Sequence, residues 1–314
     1  MQVIHHSDDL GFTPAITARI LQAWREGLLD GFSVLANGSD LEGAREGLAA
    51  EPDREARISA HLNLFEGPAQ FPYERLPLIT DMDGQLNASF GGLLRTWMLS
   101  PKRVKTMLLE QIEVEWRAQL ERIVAACAPR KLSAVDGHLH FHMLPFLFPI
   151  AAKLAREFEI PEIRIAREPL HVSWRAGDSL SPAFAVNVIK NLVLRVCARS
   201  ARRVASEHDL RAPDALVGLL YTGRMTETAA RAGLAAAQRC GAQRVELLLH
   251  VGRATPDEAL RWKGRADAAS FPLSAARDAE YAALQALRAD GARARESRAD
   301  ESRADEPRAD EPRA

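Results

Sequence analysis

Cysteine is scarce, charge of one sign is absent, and nothing in the chain reaches the length of a membrane span. The three cysteines, Cys127, Cys197 and Cys240, are odd in number and far apart, so a disulfide scaffold is excluded and reduced thiols are expected. The 41 basic residues nearly cancel the 42 acidic ones, for a net charge of -1. No overall field therefore favours nucleic acid or an anionic surface. The opening Met1-Gln-Val-Ile-His-His has neither the basic start nor the apolar stretch of a secretory signal, and a cytoplasmic location is expected. Walker and dinucleotide glycine loops are missing, and so is Gly-x-Ser-x-Gly, which sets aside nucleotide-dependent and serine-hydrolase chemistry.

What is present is an alternation of short apolar runs with longer helical patterns. Val3-Ile4 reads as a strand. Thr13 and Pro14 open a helix whose Ile16, Ile20 and Trp24 share one face. Further strands are expected at Phe32 to Ala36, Ile58 to Leu64, Ala134-Val135, Ile163 to Ile165, Ala215 to Tyr221 and Val245 to His250. Helical patterns separate them, among them Met107 to Ile123, Phe184 to Val204 and Thr226 to Arg239. Strictly alternating β and α units imply a parallel sheet, and the fold expected is α/β, a TIM-like (β/α) barrel of seven or eight parallel strands. An open doubly wound sheet is the other topology of this pattern. Asp8-Asp9, His61, Asp136 to His142 and His250 each end a strand, where barrel enzymes gather their catalytic groups, and this favours the barrel.

Residues 1–291 form the expected domain, with 70–100, rich in Pro, Gly and Asp, as an insertion or lid. Residues 292–314 repeat Ser/Pro-Arg-Ala-Asp-Glu and hold no apolar residue larger than alanine, so a disordered tail is expected there.

Adjacent carboxylates at a strand end repel one another unless a cation or a shared proton relieves them. Asp8-Asp9 therefore suits a metal ligand beside a proton acceptor, although an aspartate can also cap the helix at Pro14. His61, alone, reads as a hydrogen-bonded core or loop histidine. Asp136-Gly-His138-Leu-His140-Phe-His142 is the strongest local signal: in an extended segment its alternation puts three imidazoles on one face, fit to bind a divalent metal or to move protons. Asp9, His61 and His138 would make a mixed carboxylate and imidazole set for zinc or another first-row ion, leaving a position for water. Asp8 could take a proton from that water, and His250 is a further acid candidate or a barrel-rim residue.

In order along the chain, these segments resemble the YdjC-like carbohydrate deacetylases, a family that includes chitooligosaccharide and hopanoid-biosynthesis deacetylases. His6-Ser-Asp-Asp-Leu-Gly11 is similar to their Asn-Ala-Asp-Asp-Phe-Gly, and His61-Leu-Asn-Leu with Gly67-Pro68 to His-Leu-x-Leu-x-x-Gly-x-Pro. Asp81-Met-Asp-Gly84 resembles Asp-x-Asp-Gly, and the segment Asp136 to His142 resembles Asp-x-His-x-His-x-His. Arg164-Ile-Ala-Arg-Glu168 and Glu246-Leu-Leu-Leu-His-Val-Gly252 resemble Arg-x-Pro-Arg-Glu and Glu-Leu-x-x-His-Pro-Gly. Leu10, Ala166 and Val251 depart from the pattern without removing a ligand.

The resemblance implies a barrel-like fold and hydrolytic removal of acetyl groups from an N-acetylated sugar, with a divalent metal (Mg or Zn) held by Asp9, His61 and His138. Asp8 carries the base role. His142 and His250 join it in the catalytic group, with the acid left open among His140, His142 and His250. His140, Arg164, Arg167 and Glu168 form the expected substrate-binding group. The implied partner is the N-acetylated sugar, with no nucleic acid, no integral membrane segment, and a homodimer left open. A metal-dependent phosphoesterase or sugar isomerase on the same barrel, and a non-catalytic sugar-binding protein, are the rival readings.

Overall fold

The computed structural model describes residues 1–173, 182–262 and 265–304. Seven strands form one sheet: β1 (Gln2–Leu10), β2 (Gly31–Val34), β3 (Arg57–Leu62), β4 (Ala134–Gly137), β5 (Glu162–Ile163), β6 (Ala215–Val217) and β7 (Arg244–Leu249). Their order is β5-β4-β3-β2-β1-β7-β6, and every neighbouring pair is parallel. The sheet curls into a half-barrel and stays open, where a closed barrel was among the expectations. β5 and β6 approach through one bridge, Glu162 to Arg211, and one bond from Leu216 N–H to Arg167 O, without a ladder. The TIM-like class is kept.

The expected strand Ala215 to Tyr221 ends early because Gly218 sits at φ +148, where a Cβ would lie 2.5 Å from the Leu248 carbonyl oxygen. The chain turns there, and Glu168 accepts from the N–H groups of Gly218, Leu219 and Leu220.

The helices are α1 (Pro14–Arg25), α2 (Leu41–Ala49), α3 (Phe90–Leu99), α4 (Lys102–Cys127), α5 (Phe148–Glu157), α6 (Pro182–Glu207), α7 (Glu227–Arg239), α8 (Ala266–Ala269) and α9 (Ala276–Ala304). α1 starts as expected, with Thr13 capping Ile16 N–H and Pro14 in the first turn, and it buries Ile16, Ile20 and Trp24. Each such side chain contributes roughly 1.5–3 kcal/mol of transfer free energy. α4 likewise buries Leu108, Ile112, Trp116, Leu120 and Ile123.

Strand alternation then separates two surfaces. Phe32, Val34, Ile58, Ala60, Leu62, Val135, Val245 and Leu247 are buried in the apolar core. Their neighbours His6, Asp8, Ser33, His61, Asp136 and Glu246 are equally buried, and hydrogen-bond between strands as a polar layer that leads to the site.

The 70–100 segment is less irregular than expected. Its loop is tied to α4 by Gln70 N–H to Glu115 and Leu78 N–H to Gln111, and it ends in α3, capped by Ser89. At the C-terminus, α9 continues through Ala304, into the first part of the segment 292–314 for which a disordered tail is expected. Alanine, arginine and glutamate are strong helix formers, and here they extend an existing helix, so no new nucleus is needed. Residues 305–314 lie outside the described residues. Among the described residues no helix is long and apolar enough to cross a membrane.

Candidate metal and acid-base site

Three strand ends converge. Asp9 follows Asp8 at the tip of β1 and is held at φ +80, a conformation costly for a non-glycine residue. His61 comes from β3, and His138 from the turn after β4. His61 Nε2 lies 3.3 Å from His138 Nδ1 and 3.8 Å from Asp9 Oδ1, while Asp9 Oδ1 lies 3.5 Å from His138 Nδ1. Two ligands held about 2.1 Å from one ion at a tetrahedral angle are about 3.4 Å apart. The triangle fits that spacing.

The outer contacts fit as well. His61 Nδ1–H donates to Asp136 Oδ1 at 2.6 Å, and His138 Nε2–H to Glu66 Oε1 at 3.2 Å. Each ring thus turns its other nitrogen into the gap, as metal-binding histidines do. Arg277, from α9, donates to Asp9 Oδ2, and Asp9 Oδ1 remains buried without a hydrogen-bond partner. A cation in the triangle would satisfy that oxygen. Burial would draw the His138 imidazole down, but the adjacent carboxylates of Asp9 and Glu66 push it up to about 9. Burial also opposes ionisation of Asp9, and Arg277 overcomes it, holding the carboxyl far below its ordinary range.

Asp8 occupies a different environment. Arg164 grips it through Nη1 at 2.9 Å and Nη2 at 2.8 Å, and Ser33 Oγ lies 3.0 Å from its Oδ1. Arg164 outweighs the burial penalty and holds Asp8 well below the usual carboxylate range. The same guanidinium reaches Asp136 at 2.9 Å and Glu246 at 2.6 Å. His6, Asp8 and Asp136 also cluster closely enough to suggest ligands, but Arg164 already supplies their cation. Asp8 Oδ2 is 3.9 Å from His61 Nε2, which puts an ionised carboxylate beside the triangle.

Residues 2–291 match the family described as YdjC-like protein. The chain belongs to the YdjC-like family. A carbohydrate deacetylase from Brevibacillus brevis is 32% identical over 161 residues, covering 51% of this chain and 58% of that relative. A chitooligosaccharide deacetylase from Yersinia pestis is 30% identical over 165 residues, covering 52% and 59%. The chain thus spans under two thirds of the length of these curated relatives. A solved structure from Enterococcus faecalis V583, described as a candidate cellobiose-phosphate cleavage protein, superposes with a TM-score of 0.62 at 19% identity over 90% of both chains. That similarity shows the fold.

Within this YdjC-like frame, the other expected site residues disperse. The three histidines do not share a face, because Leu139 and His140 take left-handed conformations (φ +51 and +60) and the segment coils into a tight turn. His138 enters the triangle. His142 turns away, donating from Nε2 to the Arg164 carbonyl at 2.9 Å, and burial draws it down to about 4. His140 is buried beside Lys190 and Arg164, and burial with these charges keeps it neutral. His250 is near Asp9, backed by Glu280 at 3.5 Å.

Arg164, expected to bind substrate, is 1% exposed and committed to three carboxylates. Glu168, which follows β5, is fully buried against the turn after β6, where burial pushes it up to about 7 against the pull of three N–H donors. Arg167 lies away from the triangle, lining a cavity with Arg195 and Arg202. Sequence reasoning missed Glu66, Trp262 and Arg277. Glu66 lies inside the His61 to Pro68 motif and could have been noticed. Trp262, which donates to Glu66, and Arg277 come from distant segments without a motif.

Proposed function

We propose that this YdjC-like protein is a metal-dependent deacetylase that hydrolyses the acetamide of an N-acetylated sugar. The observation that carries the reading is the triangle of Asp9 Oδ1, His61 Nε2 and His138 Nδ1, with its buried unsatisfied oxygen. The names of the two relatives support the substrate class. When bound, magnesium or zinc polarises the acetamide carbonyl and acidifies the attacking water.

The chain's own groups do the rest. Asp136 and Glu66 orient the two imidazoles, and Arg277 orients Asp9. Asp8, kept ionised by Arg164, takes the proton of the attacking water. His250, backed by Glu280, gives a proton to the departing amine. Phe12 and Phe65, with ring centroids 6.0 and 6.3 Å from His138, form an apolar wall that limits water. The unpaired thiols of Cys127, Cys197 and Cys240 suit a cytoplasmic protein.

Acetate release from N-acetylglucosamine oligomers tests the proposal. Activity should vanish on chelation and return with added metal, and His138→Ala should abolish it. Undiminished release after chelation and in this variant would exclude the metal mechanism.

A further inference from the structure

α6 is two-faced in a way that the deacetylase reading does not use. Asn191, Leu194, Ala198, Ala201 and Ala205 bury one side of it. On the opposite side Val186, Ile189, Leu192, Val193 and Val196 are 63, 63, 46, 41 and 69% exposed. At 3.6 residues per turn these five fall within an arc of roughly 120°. Five large aliphatic side chains in one exposed stripe exceed the scattered apolar residues normal on a surface.

Arginine borders this stripe. A cavity of about 290 Å³ is lined by Arg167, Arg195, Arg199 and Arg202, with Leu192 and Val196 of the stripe as its apolar edge. None of the four arginines forms a close ion pair with a carboxylate among the described residues, and Arg202 meets the Asp214 charge only at longer range. Arg195 and Arg202 donate only to the main-chain oxygens of Glu168 and Asp214. The Asp214 carboxylate is itself engaged by the N–H groups of Gln243 and Arg244. Along the outer side of α6, Arg195, Arg199, Arg202 and Arg203 stand against Glu207 alone, while Lys190 turns inward beside His140, in a chain whose net charge is -1. The whole-chain balance conceals this segregation.

We infer that α6 is a peripheral docking surface for an anionic phospholipid bilayer, its apolar stripe entering the headgroup boundary while the arginine cavity takes lipid phosphates. Amphipathic helices with a basic flank bind bilayers in this way, by apolar burial plus attraction to anionic lipid. A second copy of the chain fits less well, because pairing two α6 helices sets arginine against arginine with one acidic residue per helix to offset them.

The test is cosedimentation of the full chain with vesicles. Binding to mixed phosphatidylglycerol and phosphatidylcholine vesicles is expected, weakening as salt rises, with little binding to phosphatidylcholine alone. Ile189→Glu with Val193→Glu should lower the partition coefficient by roughly tenfold or more. Arg195→Ser with Arg199→Ser should remove the preference for phosphatidylglycerol and flatten the salt dependence. All four positions are exposed or half-buried, so unchanged thermal melting confirms that the variants fold. Failure of the wild-type chain to bind anionic vesicles would overturn the proposal, as would binding unaltered by both double variants. So would a concentration-dependent dimer that the Ile189→Glu, Val193→Glu variant abolishes in the absence of vesicle binding.

Discussion

His61 and His138 face each other across 3.3 Å, while their far nitrogens are held by Asp136 and Glu66. Two imidazoles at that distance can share a proton or a cation, and the carboxylates behind them favour either positive guest. Asp9 Oδ1 completes the triangle. A cation would engage all three atoms at once.

Glu66 should matter without touching the cation. Glu66→Gln removes the carboxylate behind His138 but keeps an oxygen acceptor in its place. Cation affinity measured by titration calorimetry should fall about 10–100-fold, with the fold intact. An unchanged affinity would mean that His138 needs no such support.

Arg164 is expected to be structural before it is anything else. Arg164→Met leaves Asp8, Asp136 and Glu246 buried without their cation, which should cost about 3–5 kcal/mol in chemical denaturation. The half-buried Arg167, replaced in the same way, should change stability by less than about 0.5 kcal/mol.

Two expected acids can be separated by how they fail. His250→Asn should lower kcat by about 10²–10⁴-fold with little change in stability, because it removes a proton donor near Asp9. His142→Asn should instead show itself in the melting temperature, since His142 serves the Arg164 carbonyl inside the core. Paired kcat and melting measurements on both variants decide the assignment.

These contrasts mark where the sequence was legible. Asp9, His61 and His138 could be found because each ends a strand, and parallel strands bring such ends together whatever the loops do. His140 and His142 could not be placed. Alternation puts residues on one face only in extended backbone, and the left-handed Leu139 and His140 break that premise. Arg164 at a strand end reads like a substrate contact until the three carboxylates converging on it are known, and they come from β1, β4 and β7. Arg277 is supplied by a helix more than two hundred residues from Asp9, a proximity that no local pattern encodes. The strand and helix order was readable throughout, and the open edge between β5 and β6 was not.

Acid should loosen the contact between α9 and the sheet. Burial raises the Asp30 carboxyl, but bonds from His5 and from Arg288 of α9 outweigh it and bring it down from 3.8 to about 2. A folded-state value below the unfolded one means stability that is present above about pH 4 and lost as pH falls toward 2. Melting temperatures measured across that window should drop less steeply for Asp30→Asn than for the wild-type chain. Parallel slopes would show that Asp30 does not carry the effect.

The most direct measurement is elemental analysis of bound divalent metal per chain on samples whose acetate release is followed in parallel. One equivalent in the wild-type protein is predicted, with metal and acetate release lost together in Asp9→Ala, His61→Ala and His138→Ala variants that remain folded. A fully active chain without metal, or three variants that keep both their metal and their activity, would contradict it.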